Sequence, residues 1–217
     1  FKGAAAMLDE ADAANHRHVT DAVHKNGGKI VMQILHAGRY AYSPDCVAPS
    51  AIKSPISPFV PNPLDNQSIE KQIDDFVKCA CLAKSAGYDG IEIMGSEGYF
   101  INQFLVEHTN KRDDSWGGSY ENRMRLPIKI AEKIRSAVGK NFLLIFRLSM
   151  IDLIPNGSSH DEVVVLAKEL EIAGINIINT GIGWHEARIP TIATSVPPAA
   201  FTWVTKKLMG KIKIPLI

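Results

Sequence analysis

A tyrosine set alone in a long polar loop is the first residue of this chain that invites chemistry. Tyr99 stands just past an apolar run, in the stretch from Glu92 to Arg125, EIMGSEGYFINQFLVEHTNKRDDSWGGSYENRMR. That stretch begins as a strand, breaks at Gly95 and runs through polar and aromatic residues before a helical pattern returns. Ordinary strand-to-helix turns in alternating α/β proteins need only a few residues, and long ones are usually functional. A phenol has a reference pKa of about 10, so Tyr99 keeps its proton near neutrality and can give it to a carbanion or enolate. A tyrosine packed beneath its loop is the competing reading, and a single residue does not separate the two.

Three further polar residues sit where apolar ones are the rule. Gln33 interrupts the run KIVMQIL, and a buried amide must find partners, either the backbone of the sheet or a planar heterocycle. Arg147, in LLIFRLS, puts a guanidinium at the end of a buried run. There it requires an anion: negative charge on a reduced cofactor, or a loop carboxylate such as Glu92 or Asp152. His185 lies in NTGIGWHEARIP with Glu186 and Arg188, behind two glycines that allow backbone to approach a ligand closely. No second histidine follows His185 at helical spacing, so the pair His185-Glu186 is not a zinc motif. His36, in LHAGRY, could line the same mouth without an evident role.

The elements that must position these residues repeat one pattern. A helical segment ends in glycine and a short β-branched run follows: KIVMQIL, IEIM, NFLLIFRLS, INIINTG and IKIPLI. Glycine suits the left-handed residue just beyond a helix. Short apolar runs without alternation suit strands buried on both faces of a parallel sheet. Ile69, Ile73, Phe76, Val77, Ala80 and Ala83 recur at helical spacing behind Asp65, a helix N-cap candidate. Ser159 and Glu162 have capping-box form. The segment from Pro44 to Pro63 reads as a long loop.

A (β/α)8 barrel and an open doubly wound sheet both accommodate the repeat. No G-x-G-x-x-G opens a helix, which weakens the dinucleotide-binding version. Gln33, Tyr99, Arg147 and His185 each fall at or near the C-terminal end of successive strands, as at the mouth of a barrel. The expected fold is therefore an α/β (β/α)8 TIM barrel, incomplete, with about five of its eight strands in one partial domain spanning 1–217.

Bulk properties narrow the function. The composition is that of a globular protein, 46% hydrophobic and 22% charged. A net charge of +1 with no basic stripe points away from nucleic acid and anionic membranes. No apolar run is long enough to span a bilayer. The opening residues, FKGAAAMLDEADAANHRH, do not read as a signal peptide. The 3 cysteines, Cys46, Cys79 and Cys81, show no metal or cluster spacing, and the default compartment is the cytoplasm.

Four motifs in order, QILHAGRY, GSEGYFINQFL with RDDSWGGSYENRMR, FRLSM and NTGIGWHEARIPT, closely resemble the barrel domain of the bacterial 2,4-dienoyl-CoA reductase branch of the Old Yellow Enzyme flavoprotein family. The resemblance implies a barrel holding FMN. Gln33 matches a glutamine that bonds the flavin ring, and Arg147 an arginine beside its N1–C2 carbonyl edge. Tyr99 matches the proton donor and His185 the histidine that works with it. His108, Thr109, Asn110 and Lys111, with Glu186, Ala187, Arg188 and Ile189, match regions near an acyl-CoA thioester. The implied reaction is NADPH-dependent reduction of 2,4-dienoyl-CoA in unsaturated fatty acid β-oxidation, with hydride from FMN N5. Typical family members carry a histidine and an asparagine, or two histidines, ahead of the tyrosine. Here Met94 and Glu97 stand there, which argues against a generic enone reductase. FAD, a 4Fe–4S cluster and NADPH belong by resemblance to a longer parent, along with the remaining barrel strands and a reductase domain. An enoate reductase or amine dehydrogenase of the same family, and a segment inactive by itself, are the alternatives.

Overall fold

The computed structural model describes residues 5–217, so residues 1–4 of the expected barrel segment lie outside the described residues. In chain order the elements are α1 (Glu10–Lys25), β1 (Val31–Ile34), β2 (Val47–Ala48), β3 (Asn62–Pro63), α2 (Asn66–Ser85), β4 (Gly90–Gly95), α3 (Phe100–Leu105), α4 (Tyr120–Arg123), α5 (Arg125–Val138), β5 (Leu143–Ile151), α6 (His160–Ile172), β6 (Ile177–Ile182) and α7 (Thr202–Leu208). A 3₁₀ turn covers Gly38–Tyr40.

One parallel sheet runs in the order β1-β4-β5-β6, with α2, α5 and α6 in the crossovers. The next rung begins at the end of the chain. The Ile178 N–H donates to the Pro215 carbonyl at 3.0 Å and the Thr180 N–H to that of Ile217 at 2.7 Å. All the apolar runs read as strands therefore lie in one sheet. Its strands follow chain order without the reversal of a doubly wound sheet, so the fold is α/β and the sheet is part of a barrel wall.

Local chemistry sets the helices. The Asp65 side chain accepts the Ser68 N–H at 2.7 Å, and Ile69, Ile73, Phe76, Ala80 and Ala83 turn one face of α2 into the core. Both halves of the capping box at Ser159 and Glu162 are formed. In-register pairing sorts the sheet into two faces. Ile34, Ile91, Ile93, Leu144, Phe146 and Ile178 are buried in the main hydrophobic core, beneath the helices. Gln33, Glu92, Met94, Arg147 and Asn179 share the other face, which is the barrel lumen.

Two connections differ from the sequence reading. The stretch after β4 is not all loop, because FINQFL folds into the short helix α3. Phe100, Ile101, Phe104 and Leu105 are buried there, so tertiary packing supplies what a helix of this length lacks in isolation. The segment from Pro44 to Pro63 is tied by a short parallel pairing of β2 with β3.

Ser159→Ala removes the Ser159 half of the capping box and should destabilise the protein by about 1 kcal/mol. A urea titration with an unchanged midpoint would count against this account of α6.

Candidate active site

The loops after β1, β4 and β6 meet at the C-terminal end of the sheet. Beyond β4 the backbone reverses through two left-handed residues, Glu97 at φ 63° and Gly98 at φ 84°. A side chain at Gly98 would run into the Tyr40 hydroxyl and the Trp184 ring, so close packing as well as φ requires glycine here. Two buried amides of α3 hold the turn. Asn102 Oδ1 accepts the Gly98 N–H at 3.0 Å, and Gln103 Nε2 donates to the Gly98 carbonyl at 2.7 Å. Tyr99 is thus projected from a fixed backbone.

His185 is delivered from the other side. Beyond β6, Trp184 is anchored twice to Asp152. Its backbone N–H meets the Asp152 carbonyl at 3.0 Å, and its indole Nε1 meets Oδ1 at 2.8 Å. Asp152 is buried and also takes hydrogen bonds from Ser149, Asn102 and the Ser158 N–H. The His185 N–H then donates to the Glu97 carbonyl at 3.3 Å. These constraints bring His185 Nε2 to 2.9 Å from the Tyr99 hydroxyl, with the rings nearly perpendicular. Tyr40 contacts both rings edge-on.

Arg147 pairs with Glu97: Nε and Nη2 lie 2.8 and 2.6 Å from Oε1. The other oxygen of Glu97 is 3.9 Å from His185 Nε2. Of the two readings of Arg147, a loop carboxylate is what the described residues provide, and it is neither Glu92 nor Asp152. Glu92 instead accepts from Gln33 Nε2 at 2.6 Å and from Asn179 Nδ2 at 2.7 Å. A cavity of about 400 Å³ opens over this floor, lined by Glu97, Arg147, Trp184, His185, Ile189 and Ile192. Burial, and then the charge of Glu97, push the Tyr99 phenol above its ordinary pKa, which keeps it a proton donor.

The residues expected near a thioester divide. Thr109 and Asn110 are buried, and their side chains bond to the carbonyls of Gln103, Phe104 and Trp116. Glu186 is turned inward. It takes a bidentate pair of bonds from Arg39 Nη2 at 2.6 Å, a bond from the Tyr40 hydroxyl at 2.8 Å, and contacts Ser54 and His108. Ala187 is half-buried, while Lys111, Arg188 and Ile189 are exposed. His36 does not join the site. It packs tilted against Phe100 and stacked on Phe76, its Nδ1 accepts the Gly38 N–H at 2.9 Å, and burial lowers its pKa. Arg39, Tyr40 and Trp184 were not singled out in the sequence. Their signal was position: each lies in a loop that leaves the C-terminal end of a strand.

A parallel sheet in sequential order, with its ionisable residues gathered at the C-terminal mouth, places the chain among (β/α)8 barrel proteins. Residues 1–216 match the model of the NADH:flavin oxidoreductase / NADH oxidase family, and the chain belongs to that family. It is 38% identical over 205 residues to a metal reductase of Desulforamulus reducens, covering 93% of this chain and 31% of that protein. It is 36% identical to an NADH oxidase of Thermoanaerobacter brockii, covering 96% and 33% of the two chains. The chain thus spans about a third of the length of these relatives. Among solved structures, 2-naphthoyl-CoA reductase in complex with 2-naphthoyl-CoA superposes with a TM-score of 0.91 at 31% identity, covering 97% of this chain and 35% of that one. The old yellow enzyme homologue of Zymomonas mobilis superposes with a TM-score of 0.81 at 30% identity, covering 97% and 61%.

An ultraviolet difference titration of the protein against Tyr99→Phe should show the missing phenol ionising above pH of about 10. Ionisation at or below that value would contradict the environment described for Tyr99.

Proposed function

We propose that this chain is part of an FMN-binding barrel domain that reduces 2,4-dienoyl-CoA thioesters with NADPH, in the cytoplasmic β-oxidation of unsaturated fatty acids. The observation that carries the reading is the 2.9 Å contact between Tyr99 and His185 above a mouth floored by Arg147. Family membership implies FMN, and the lumen offers suitable groups. Among the described residues, Gln33 Oε1, Asn179 Oδ1 and Arg147 Nη1 make no hydrogen bond, leaving two acceptors and a cationic donor on one face. That set complements the donor and acceptor edge of a flavin ring. When bound, FMN supplies a hydride from N5.

The protein's residues handle the proton. Tyr99 holds it at Oη and transfers it to the dienolate carbon of the reduced thioester. His185 Nε2, at 2.9 Å, returns a proton to the phenol, and its side chain, 42% exposed, connects the pair to solvent. Arg147, the register partner of Asn179, is paired with Glu97 through Nε and Nη2, and its Nη1 would supply a cationic donor to negative charge on a bound flavin ring. His108, Lys111, Arg188 and Ile189 form the outer lip toward the thioester, whereas Thr109, Asn110, Glu186 and Ala187 shape it from within.

The likeness to a reductase bound to 2-naphthoyl-CoA supports an acyl-CoA substrate. Met94 and Glu97 replace neutral donors that would hold a simple enone oxygen. An amine is poorly served, because the charge of Glu97 is already paired with Arg147. FAD, a 4Fe–4S cluster and the NADPH-binding reductase domain are proposed for a longer protein carrying this chain. No helix among the described residues is long and apolar enough to cross a membrane.

In the flavin-loaded protein, Tyr99→Phe should lower dienoyl-CoA turnover by about 10²- to 10⁴-fold with the flavin retained. Turnover near the unmodified rate would refute the proton-donor role.

A further inference from the structure

Glu186 is adjacent to His185 in sequence, yet its carboxylate points away from the cavity into a closed network. Arg39 is 1% exposed along its side chain and Glu186 only 6%. Two charges removed from water at this cost rarely stabilise a fold better than apolar packing would. Among the described residues, Arg39 Nε is buried without a hydrogen-bond partner.

The network's geometry gives it another use. Arg39 and Glu186 join the loop after β1 to the loop after β6, and Tyr40 adds its hydroxyl to the same carboxylate. On the other side of His185, Trp184 is locked to Asp152. His185 is therefore a half-exposed side chain between two neighbours that are each tied down by side-chain hydrogen bonds, while Tyr40 packs edge-on against both His185 and Tyr99.

We propose that the buried Arg39–Glu186 pair, with Tyr40, is a positioning device that fixes His185 Nε2 against the Tyr99 hydroxyl. This rests on the reading of Tyr99 and His185 as the proton-handling pair. Arg39, Tyr40 and Glu186 touch no reacting atom; they act through His185. Misplacing a catalytic group by about 1 Å can cost about 10²-fold in rate, so the contacts that hold it are as consequential as the group itself.

The test uses the flavin-loaded protein with Glu186→Gln, Arg39→Lys and the milder Tyr40→Phe, which keeps the ion pair and the ring contacts. Turnover of a 2,4-dienoyl-CoA is measured beside the nitrogen chemical shifts of the His185 imidazole, assigned with His185→Gln. Glu186→Gln should lower kcat by about 10- to 100-fold with KM within about twofold, and should move the Nε2 resonance toward that of an imidazole free of the phenol. Tyr40→Phe should move both readouts in the same direction by less. An Nε2 resonance unchanged in folded Glu186→Gln and Tyr40→Phe would overturn the proposal, whatever the rates. A purely structural role would lower thermal stability or flavin content without moving that resonance. If the unmodified protein does not turn over dienoyl-CoA, the substrate reading fails, and the imidazole resonance still decides the positioning.

Discussion

A carboxylate and a guanidinium, both withdrawn from water, join loops that the sheet alone would leave independent. Glu186 and Arg39 are 147 residues apart in the chain and 2.6 Å apart in space. Strand pairing fixes where β1, β4 and β6 end, but not how the loops beyond them lean. A parallel sheet is stiff in its ladder and silent about its connections. The inward turn of Glu186 converts three loop ends into one surface. Tyr40, bonded to the same carboxylate, lies edge-on to both Tyr99 and His185. The ion pair is better understood as a specifier of geometry than as a source of stability, because its desolvation offsets most of its Coulombic gain.

A second charge pair shapes the mouth of the site. Arg147 and Glu97 pair at the mouth through Nε and Nη2, which leaves Nη1 as the cationic donor next to the phenol and imidazole pair. Glu97 occupies a left-handed backbone position, where its carbonyl receives His185 and its carboxylate receives Arg147. The same residue therefore shapes both the backbone and the electrostatics of the site. A non-glycine residue held at positive φ costs of order 1 kcal/mol or more, and such costs cluster where function over-determines the backbone.

Local physics made much of this readable in the sequence. The caps at Asp65 and Ser159 depend on residues three positions away, so their spacing alone identified them. The strands of the sheet were legible because burial on both faces leaves continuous β-branched runs. Tyr99, Arg147 and His185 stood out as polar residues at strand ends. What stayed hidden was partnership across loops. Arg147 demanded an anion, but nothing local distinguishes Glu97 from Glu92 or Asp152. Arg39 and Tyr40 looked like ordinary loop residues, because the carboxylate that gives them meaning lies in the loop after β6. The helix at FINQFL was obscured by its brevity and by Asn102 and Gln103, whose buried amides serve the Gly98 turn.

In the proposed reaction Tyr99 and His185 act as one proton-handling unit, and a double-mutant cycle measures their coupling. Single-turnover reoxidation of the reduced protein by a 2,4-dienoyl-CoA would be followed in the unmodified protein, in Tyr99→Phe, in His185→Gln and in the double variant. If the two residues are a unit, the double variant reacts no more than a few-fold more slowly than Tyr99→Phe alone, because the second loss has nothing further to remove. If the two single losses multiply in the double variant, the residues act independently and the account is wrong.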